Sequence, residues 1–189
     1  MHILLTRPLE DCSQMILRFQ SLGNKVSHLP LLKVKKIDYN EINFSEFKGI
    51  VFTSANAVKF LDHKIIDKKN GKIIYVSGEN ISIDLDQELI KEGYDVRRII
   101  NYRTIHNENF NELFIKELKL NMPDIVYVYS QNSASSLLKF IKLCKSESLW
   151  MNTNLMCLGE KTSAILNEIK WKKIFLFNPG EEEFLLYKI

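Results

Sequence analysis

The strongest constraint on the fold of this chain is an alternation of two hydrophobic periods. Short apolar runs rich in β-branched residues recur at positions 3–5, 26–29, 50–52, 73–76, 96–100, 125–128, 155–158 and 174–177, and runs of this length and composition read as strands. Between most of them lie stretches of helical period, at 9–22, 55–62, 83–92, 110–120, 133–144 and 161–169. A strand that pairs in parallel with its neighbour needs a crossover connection, usually a helix. The alternation therefore predicts an α/β fold of parallel sheets covered by helices.

Two segments break the pattern. Residues 31–39 (Leu-Leu-Lys-Val-Lys-Lys-Ile-Asp-Tyr) and residues 98–106 look extended and partly charged where a helix is expected. A pair of crossing strands, one leaving a domain and one returning to it, accounts for both. The chain is then predicted to form two small parallel-sheet domains with flavodoxin-like or Rossmann-like layers, one inserted in the other, joined by a two-stranded linker. The outer, discontinuous domain comprises residues 1–36 and 104–189, and the inserted, shortened domain covers 37–103 with the returning strand.

Composition excludes more than it assigns. Hydrophobic residues at 46% and charged residues at 26% are ordinary globular values and argue against disorder. A net charge of +3 falls short of the concentrated basic face that nucleic-acid binding needs, so no nucleic-acid partner is expected. The apolar stretch in Met1-His2-Ile3-Leu4-Leu5 is too short for a signal segment or a membrane span, and no later run approaches the length of either, which predicts a cytoplasmic protein without membrane association. Cys12, Cys144 and Cys157 are odd in number, far apart and without a C-x-x-C, so they read as buried thiols in a reducing compartment. His2, His28, His63 and His106 show no i, i+4 pairing and no H-E-x-x-H, and no metal is expected.

Candidate chemistry gathers at four strand-to-helix junctions: Leu5-Thr6-Arg7-Pro8, Phe52-Thr53-Ser54-Ala55-Asn56, Tyr129-Ser130-Gln131-Asn132-Ser133 and Leu158-Gly159-Glu160-Lys161-Thr162. Each sets hydroxyls and unpaired backbone N–H groups at a helix N-terminus, where about half a positive charge favours carboxylates and phosphates. In open parallel sheets such junctions also line the crevice where ligands bind. Plain capping explains each junction singly, because Ser, Thr and Asn are favoured N-caps of any helix. Four of them at the same end of the strands point further, to a small ligand with several anionic groups. G-x-x-x-x-G-K-[ST], G-x-G-x-x-G and G-x-S-x-G are all missing, so nucleotide hydrolysis and serine hydrolysis lose their usual support. The run Glu181-Glu182-Glu183 reads as the acidic first turn of a helix starting after Pro179-Gly180.

Taken in order, Leu5-Thr6-Arg7-Pro8, Leu29-Pro30, Phe52-Thr53-Ser54-Ala55-Asn56-Ala57-Val58, the stretch from Gly93 to Tyr102-Arg103-Thr104, Tyr129-Ser130 with Ser133-Ala134, Leu158-Gly159-Glu160-Lys161-Thr162-Ser163 and Asn178-Pro179 span nearly the whole chain. Each is weak alone, but in joint order and spacing they resemble the uroporphyrinogen-III synthase family. The resemblance implies two α/β domains with the active site in a cleft between them, a monomer, and no cofactor. It implies hydroxymethylbilane as substrate, cyclised with inversion of its ring D through a spiro intermediate and loss of water. It further implies substrate-binding roles for Thr6, Arg7, Thr53, Ser54, Ala55, Asn56, Gly78, Ser130, Ser133, Gly159, Lys161 and Thr162. Tyr102 matches the family's tyrosine on the returning linker and becomes the candidate acid beside the departing hydroxyl, against the plainer role of a packed tyrosine.

One departure stands out. The family carries a further strand–helix–strand portion between the Phe52-Thr53-Ser54 helix and the strand at 73–76, and here only residues 61–72 fill that gap. The inserted domain is therefore expected to be small, with about three strands. An alternative follows from the shortening: a degenerate, non-catalytic α/β module that binds an acidic small molecule or tetrapyrrole without turnover.

Overall fold

The computed structural model describes residues 1–60, 72–81 and 83–188. Residues 61–71, which hold His63 and most of the short connection expected in the inserted domain, lie outside the described residues. In chain order the elements are β1 (His2–Leu5), α1 (Leu9–Ser21), β2 (Lys25–His28), β3 (Leu32–Lys36), β4 (Phe47–Phe52), α2 (Ala55–Lys59), β5 (Lys72–Gly78), α3 (Leu85–Lys91), β6 (Val96–His106), α4 (Glu112–Leu120), β7 (Ile125–Val128), α5 (Gln131–Leu143), β8 (Asn154–Leu158), α6 (Glu160–Ala164) and β9 (Lys173–Phe177). Short 3₁₀ turns lie at Phe44–Glu46, Glu147–Asn152 and Phe184–Lys188. The chain divides into two compact units, residues 1–33 with 106–189 and residues 34–105.

The first unit is built on a five-stranded sheet of order β2-β1-β7-β8-β9, with every pair parallel. Successive strand residues point to opposite faces, and both faces are covered. Leu4, Val126, Val128, Leu155 and Cys157 join one core cluster with Phe140, Leu137 and Trp150. Ile3, Leu5, Ile125, Tyr127 and Met156 join the other, with Cys12 and Phe19 of α1. The register keeps these layers in line, Leu4 beside Val126 and Val126 beside Leu155. Double-faced burial is why these strands read as unbroken apolar runs. Asn111 and Ser130 cap α4 and α5 by accepting from backbone N–H groups of the first turn.

The second unit carries a four-stranded sheet of order β3-β6-β5-β4. β4, β5 and β6 pair in parallel. β3 runs against β6: Asn107 N donates to Leu31 O and Ile37 N donates to Asn101 O, both at 2.8 Å, so one strand descends in number as the other climbs. The sheet is mixed: the expected parallel strands β4, β5 and β6 are joined at one edge by β3, the outgoing strand of the two-stranded linker. A chain that leaves a body and returns runs in opposite directions on its two passes, and passes that meet side by side must pair antiparallel. The segments at 96–100 and 98–106 are one strand, β6. Among the described residues, one core cluster serves this unit, made of Ile42, Phe47, Ala57, Ile74, Val76 and Ile99.

After Pro179-Gly180 the expected helix is replaced by the 3₁₀ turn at Phe184–Lys188. Phe184 and Tyr187 are exposed while Leu185 is buried, so the segment offers no apolar face wide enough to hold a regular helix in place.

Candidate active site

In the second unit a cavity of about 240 Å³ opens beyond the carboxyl ends of β4 and β5. Its polar lining is Thr53, Ser54, Tyr75, Asn80 and Tyr102, and Ile81, Ile83 and Leu85 form an apolar wall. Three of the residues singled out in the sequence, Thr53, Ser54 and Tyr102, therefore share one hollow. Thr53 and Ser54 follow the last residue of β4. Ser54 sits at the N-cap of α2 with an extended backbone, and its hydroxyl accepts from Asn56 N at 3.1 Å. The Ser54 side chain thus serves as a cap and still lines the cavity. Thr53 is exposed, and its Oγ1 lies 3.2 Å from the Tyr75 hydroxyl.

Tyr75 reaches this place by strand alternation. Ile74 and Val76 belong to the core cluster of the unit, and the intervening residue faces the other way. Tyr102 comes from β6, half-buried against the same core cluster. Gly78, at the end of β5, lies directly under the Tyr102 ring, where a methyl group would stand 2.6 Å from ring carbon Cζ. Gly78 therefore supports the tyrosine with bare backbone, and nothing larger fits with the ring where it is. Asn56 is half-buried in α2, and Ala55 opens that helix.

The chemistry of the hollow follows from its atoms. Hydroxyl and amide groups can each donate to a carboxylate oxygen, and a phenol can also supply a proton. The side chains named are all neutral, so an anion held there is recognised by hydrogen bonds rather than by ion pairing. The apolar wall offers a flat ring a surface to lie on.

The remaining predicted residues lie in the first unit, at the carboxyl ends of the adjacent strands β1, β7 and β8. The parallel register sets Thr6, Arg7, Ser130, Ser133, Gly159, Lys161 and Thr162 along one edge of the sheet. Their hydroxyls are largely engaged. Thr6 is buried and donates to Tyr127 O at 2.6 Å. Ser130 accepts from Ser133 N at 3.1 Å as the cap of α5, and its Oγ lies 2.9 Å from Ser133 Oγ. Thr162 is buried, Gly159 is exposed at the N-cap of α6 with φ +80°, and Lys161 is exposed.

Arg7 brings a cation to this edge. Its guanidinium stands 4.9 Å from the centre of the Tyr129 ring and 3.9 Å from the Asp11 carboxylate. Burial pushes the Tyr129 and Tyr127 phenols up, with Glu182 adding to both, so neither is an acid near neutral pH. Burial also pushes the Cys157 thiol up to about 12, the behaviour of an inert core cysteine. Among the described residues no group of three or more His, Cys, Asp or Glu is arranged to hold a metal ion, and no helix is long and apolar enough to cross a membrane.

Sequence reasoning missed Tyr75 and Asn80. Tyr75 lies inside an apolar run at the middle of β5 and reads as core, and its hydroxyl reaches Thr53 Oγ1 only through the pairing of β4 with β5. Asn80 sits in Ser77-Gly78-Glu79-Asn80, a fifth polar turn at a strand end whose helix begins several residues later.

Strands β4 and β5, parallel and ending at a hydroxyl-lined cavity, together with the hydroxyl-rich strand ends of the first unit, define an α/β protein of the class that carries polar corners at the carboxyl ends of its strands. The sequence profile of the uroporphyrinogen-III synthase HemD family matches residues 64–177, more than half of the chain. The chain belongs to the uroporphyrinogen-III synthase family. The fold is similar to that of uroporphyrinogen-III synthetase from Helicobacter pylori 26695, with a TM-score of 0.65 at 16% identity, covering 100% of this chain and 99% of that one. It is also similar to a mutant uroporphyrinogen III synthase from the extremely thermophilic bacterium Thermus thermophilus, with a TM-score of 0.52 at 13% identity, covering 99% of this chain and 97% of that one. No curated relative matches the sequence.

Proposed function

We infer that the protein is a uroporphyrinogen-III synthase, a lyase that cyclises hydroxymethylbilane to uroporphyrinogen III with inversion of ring D and loss of water. Membership of the family carries this conclusion. The cavity that joins Thr53, Ser54 and Tyr102 supports it with matching chemistry. The substrate loses its hydroxyl to form an azafulvene cation, the substituted carbon of ring D attacks it, and the spiro intermediate breaks and recloses. Spontaneous closure gives the uninverted isomer, so the protein's task is to hold the terminal ring for attack at the substituted carbon, an effect of proximity and orientation.

In this reading Tyr102 is the acid that protonates the departing hydroxyl, and Gly78 is the backbone seat of its ring. Thr53, Ser54 and Asn56 bind carboxylates through hydrogen bonds, with Ala55 contributing backbone. Thr6, Arg7, Ser130, Ser133, Gly159, Lys161 and Thr162 are proposed to bind further carboxylates at the corners of the first unit, with Arg7 and Lys161 as the cations. The reaction needs no cofactor, and the protein works as a cytoplasmic monomer.

Incubation with freshly made hydroxymethylbilane, oxidation and separation of the porphyrin isomers tests the assignment. Isomer III is expected; isomer I alone, as in the protein-free control, removes it. Tyr102→Phe is expected to lower kcat by about 100-fold, the low end of general acid catalysis, while leaving the melting temperature unchanged. Wild-type kcat in that variant removes the acid role.

A further inference from the structure

Tyr102 enters the cavity from a strand whose register is interrupted. β5 and β6 pair Ser77 with Ile100 and then Gly78 with Tyr102, which leaves Asn101 as an extra residue on β6. A bulge of this kind re-aims the side chain that follows it, and here it sets Tyr102 beside Gly78. The approach is close. A methyl group at position 78 would lie 2.6 Å from the ring carbon Cζ and 2.8 Å from the hydroxyl oxygen, far inside normal carbon contact distance. Glu79 N also donates to Tyr102 O at 2.9 Å. The phenol is thus seated on the backbone of residues 78 and 79, and whatever fixes that backbone fixes the phenol.

Strand ends leave carbonyls in need of partners, and at this one the Arg98 side chain reaches two of them and a hydroxyl beside them. Arg98 Nε donates to Ser77 Oγ at 2.8 Å, and its Nη2 donates to Gly78 O at 2.9 Å and to Glu79 O at 3.3 Å. The buried Ser77 hydroxyl donates in turn to Gly78 O at 3.2 Å. A planar guanidinium presents its donors in a fixed fork, so bonds made from one group to three consecutive residues hold them in one geometry. The charge on the donor makes these bonds stronger than neutral ones.

We propose that Arg98 is a positioning residue for Tyr102, acting through Ser77, Gly78 and Glu79. It does not line the cavity and touches no reacting atom; it fixes the floor on which the phenol stands. The proposal rests on the reading of Tyr102 as the acid of the cyclisation, and two separate measurements keep their failures apart.

The first measurement is the position of the ring, read by NMR on protein whose tyrosines are isotopically enriched at Cζ, with the Tyr102 resonance identified by its loss in Tyr102→Phe. Arg98→Gln and Gly78→Ala are each expected to move that resonance while the Tyr127 resonance, in the other unit, stays in place. The second is turnover. Arg98→Gln is expected to lower kcat by about 10-fold to 100-fold, the cost of a small misplacement of a catalytic group, with KM near the wild-type value. In a Tyr102→Phe background it is expected to add nothing.

An unmoved Tyr102 resonance in folded Arg98→Gln overturns the proposal, and so do losses that add in the double variant. A moved resonance together with full activity of Tyr102→Phe upholds the positioning and removes the acid role instead. Should Arg98→Gln fail to fold, Arg98→Lys keeps the charge without the fork and is held to the same two outcomes.

Discussion

The two units solve the same packing problem to different depths. The sheet of the first unit has helices and core clusters on both faces, and residues such as Leu4, Leu5, Val126, Tyr127, Leu155 and Met156 are wholly buried in them. The sheet of the second has, among the described residues, one cluster of six buried residues, and on β5 Val76 joins that core while Tyr75 lines the cavity. The corners differ accordingly. In the first unit Thr6 turns its hydroxyl inward to Tyr127 O and helps hold two strands together. In the second, Thr53 stays exposed at the cavity. One strand–hydroxyl–helix pattern therefore does two jobs, and the depth of the core beside it decides which.

Core truncations test this contrast most severely. Trp150, buried and in edge contact with Trp171 at 5.6 Å between ring centres, is expected to cost about 3–5 kcal/mol as Trp150→Ala, the range for large aromatic truncations. Ile74→Ala in the second unit is expected to cost about 2–3 kcal/mol, the low end for its type, since a small cluster collapses more readily around the gap. Urea denaturation measures both. An equal or reversed order breaks the comparison.

Paired threonine substitutions sharpen it on a smaller scale. Thr6→Val removes a buried donor from Tyr127 O and is expected to cost about 1–3 kcal/mol of stability. Thr53→Ala is expected to leave the urea midpoint unchanged and to weaken substrate binding by about 0.5–1.5 kcal/mol, read as a rise in KM. If Thr53→Ala instead destabilises the fold as much as Thr6→Val does, the two corners are structurally alike and the division of labour falls.

The same contrast explains what could be read in the sequence. The strands at 3–5, 125–128 and 155–158 were legible because a strand buried on both faces must be apolar throughout. Thr53, Ser54 and Tyr102 could be singled out by motif order, and they do share a cavity. The partner of Thr6 could not be, because Tyr127 is 121 positions away and only the β1–β7 pairing brings it near. Arg98 was equally hidden. Its bonds to the end of β5 depend on register, and the shift that seats Tyr102 over Gly78 is a property of the paired strands, which neither segment carries locally. Tyr75 was lost for the opposite reason: a tyrosine amid isoleucine and valine looks like core, and its ring is indeed almost fully buried, with only the hydroxyl end at work.

The smallest effect expected concerns the amino edge of the first sheet. His2 Nε2 lies 2.8 Å from Ser27 Oγ, and the imidazole pKa is lowered from the usual 6.5, first by partial burial and then by Lys25, against the opposing pull of backbone at Met122 and Asn121 and of Asp124. A folded pKa below the unfolded one means that the unfolded chain binds more protons in the interval between them, so stability rises with pH there. The contribution is complete above the unfolded value near 6.5 and is lost as pH falls from it toward the folded value. His2→Gln, which keeps a polar group beside Ser27, is expected to flatten this slope. Trp150 and Trp171 both belong to the first unit, so their fluorescence reports the melting of the unit that contains His2. A pH slope that is the same with and without the histidine, read by that fluorescence, removes His2 as its source; a slope that flattens there assigns it to the partly buried imidazole, whose charged form loses solvation on folding.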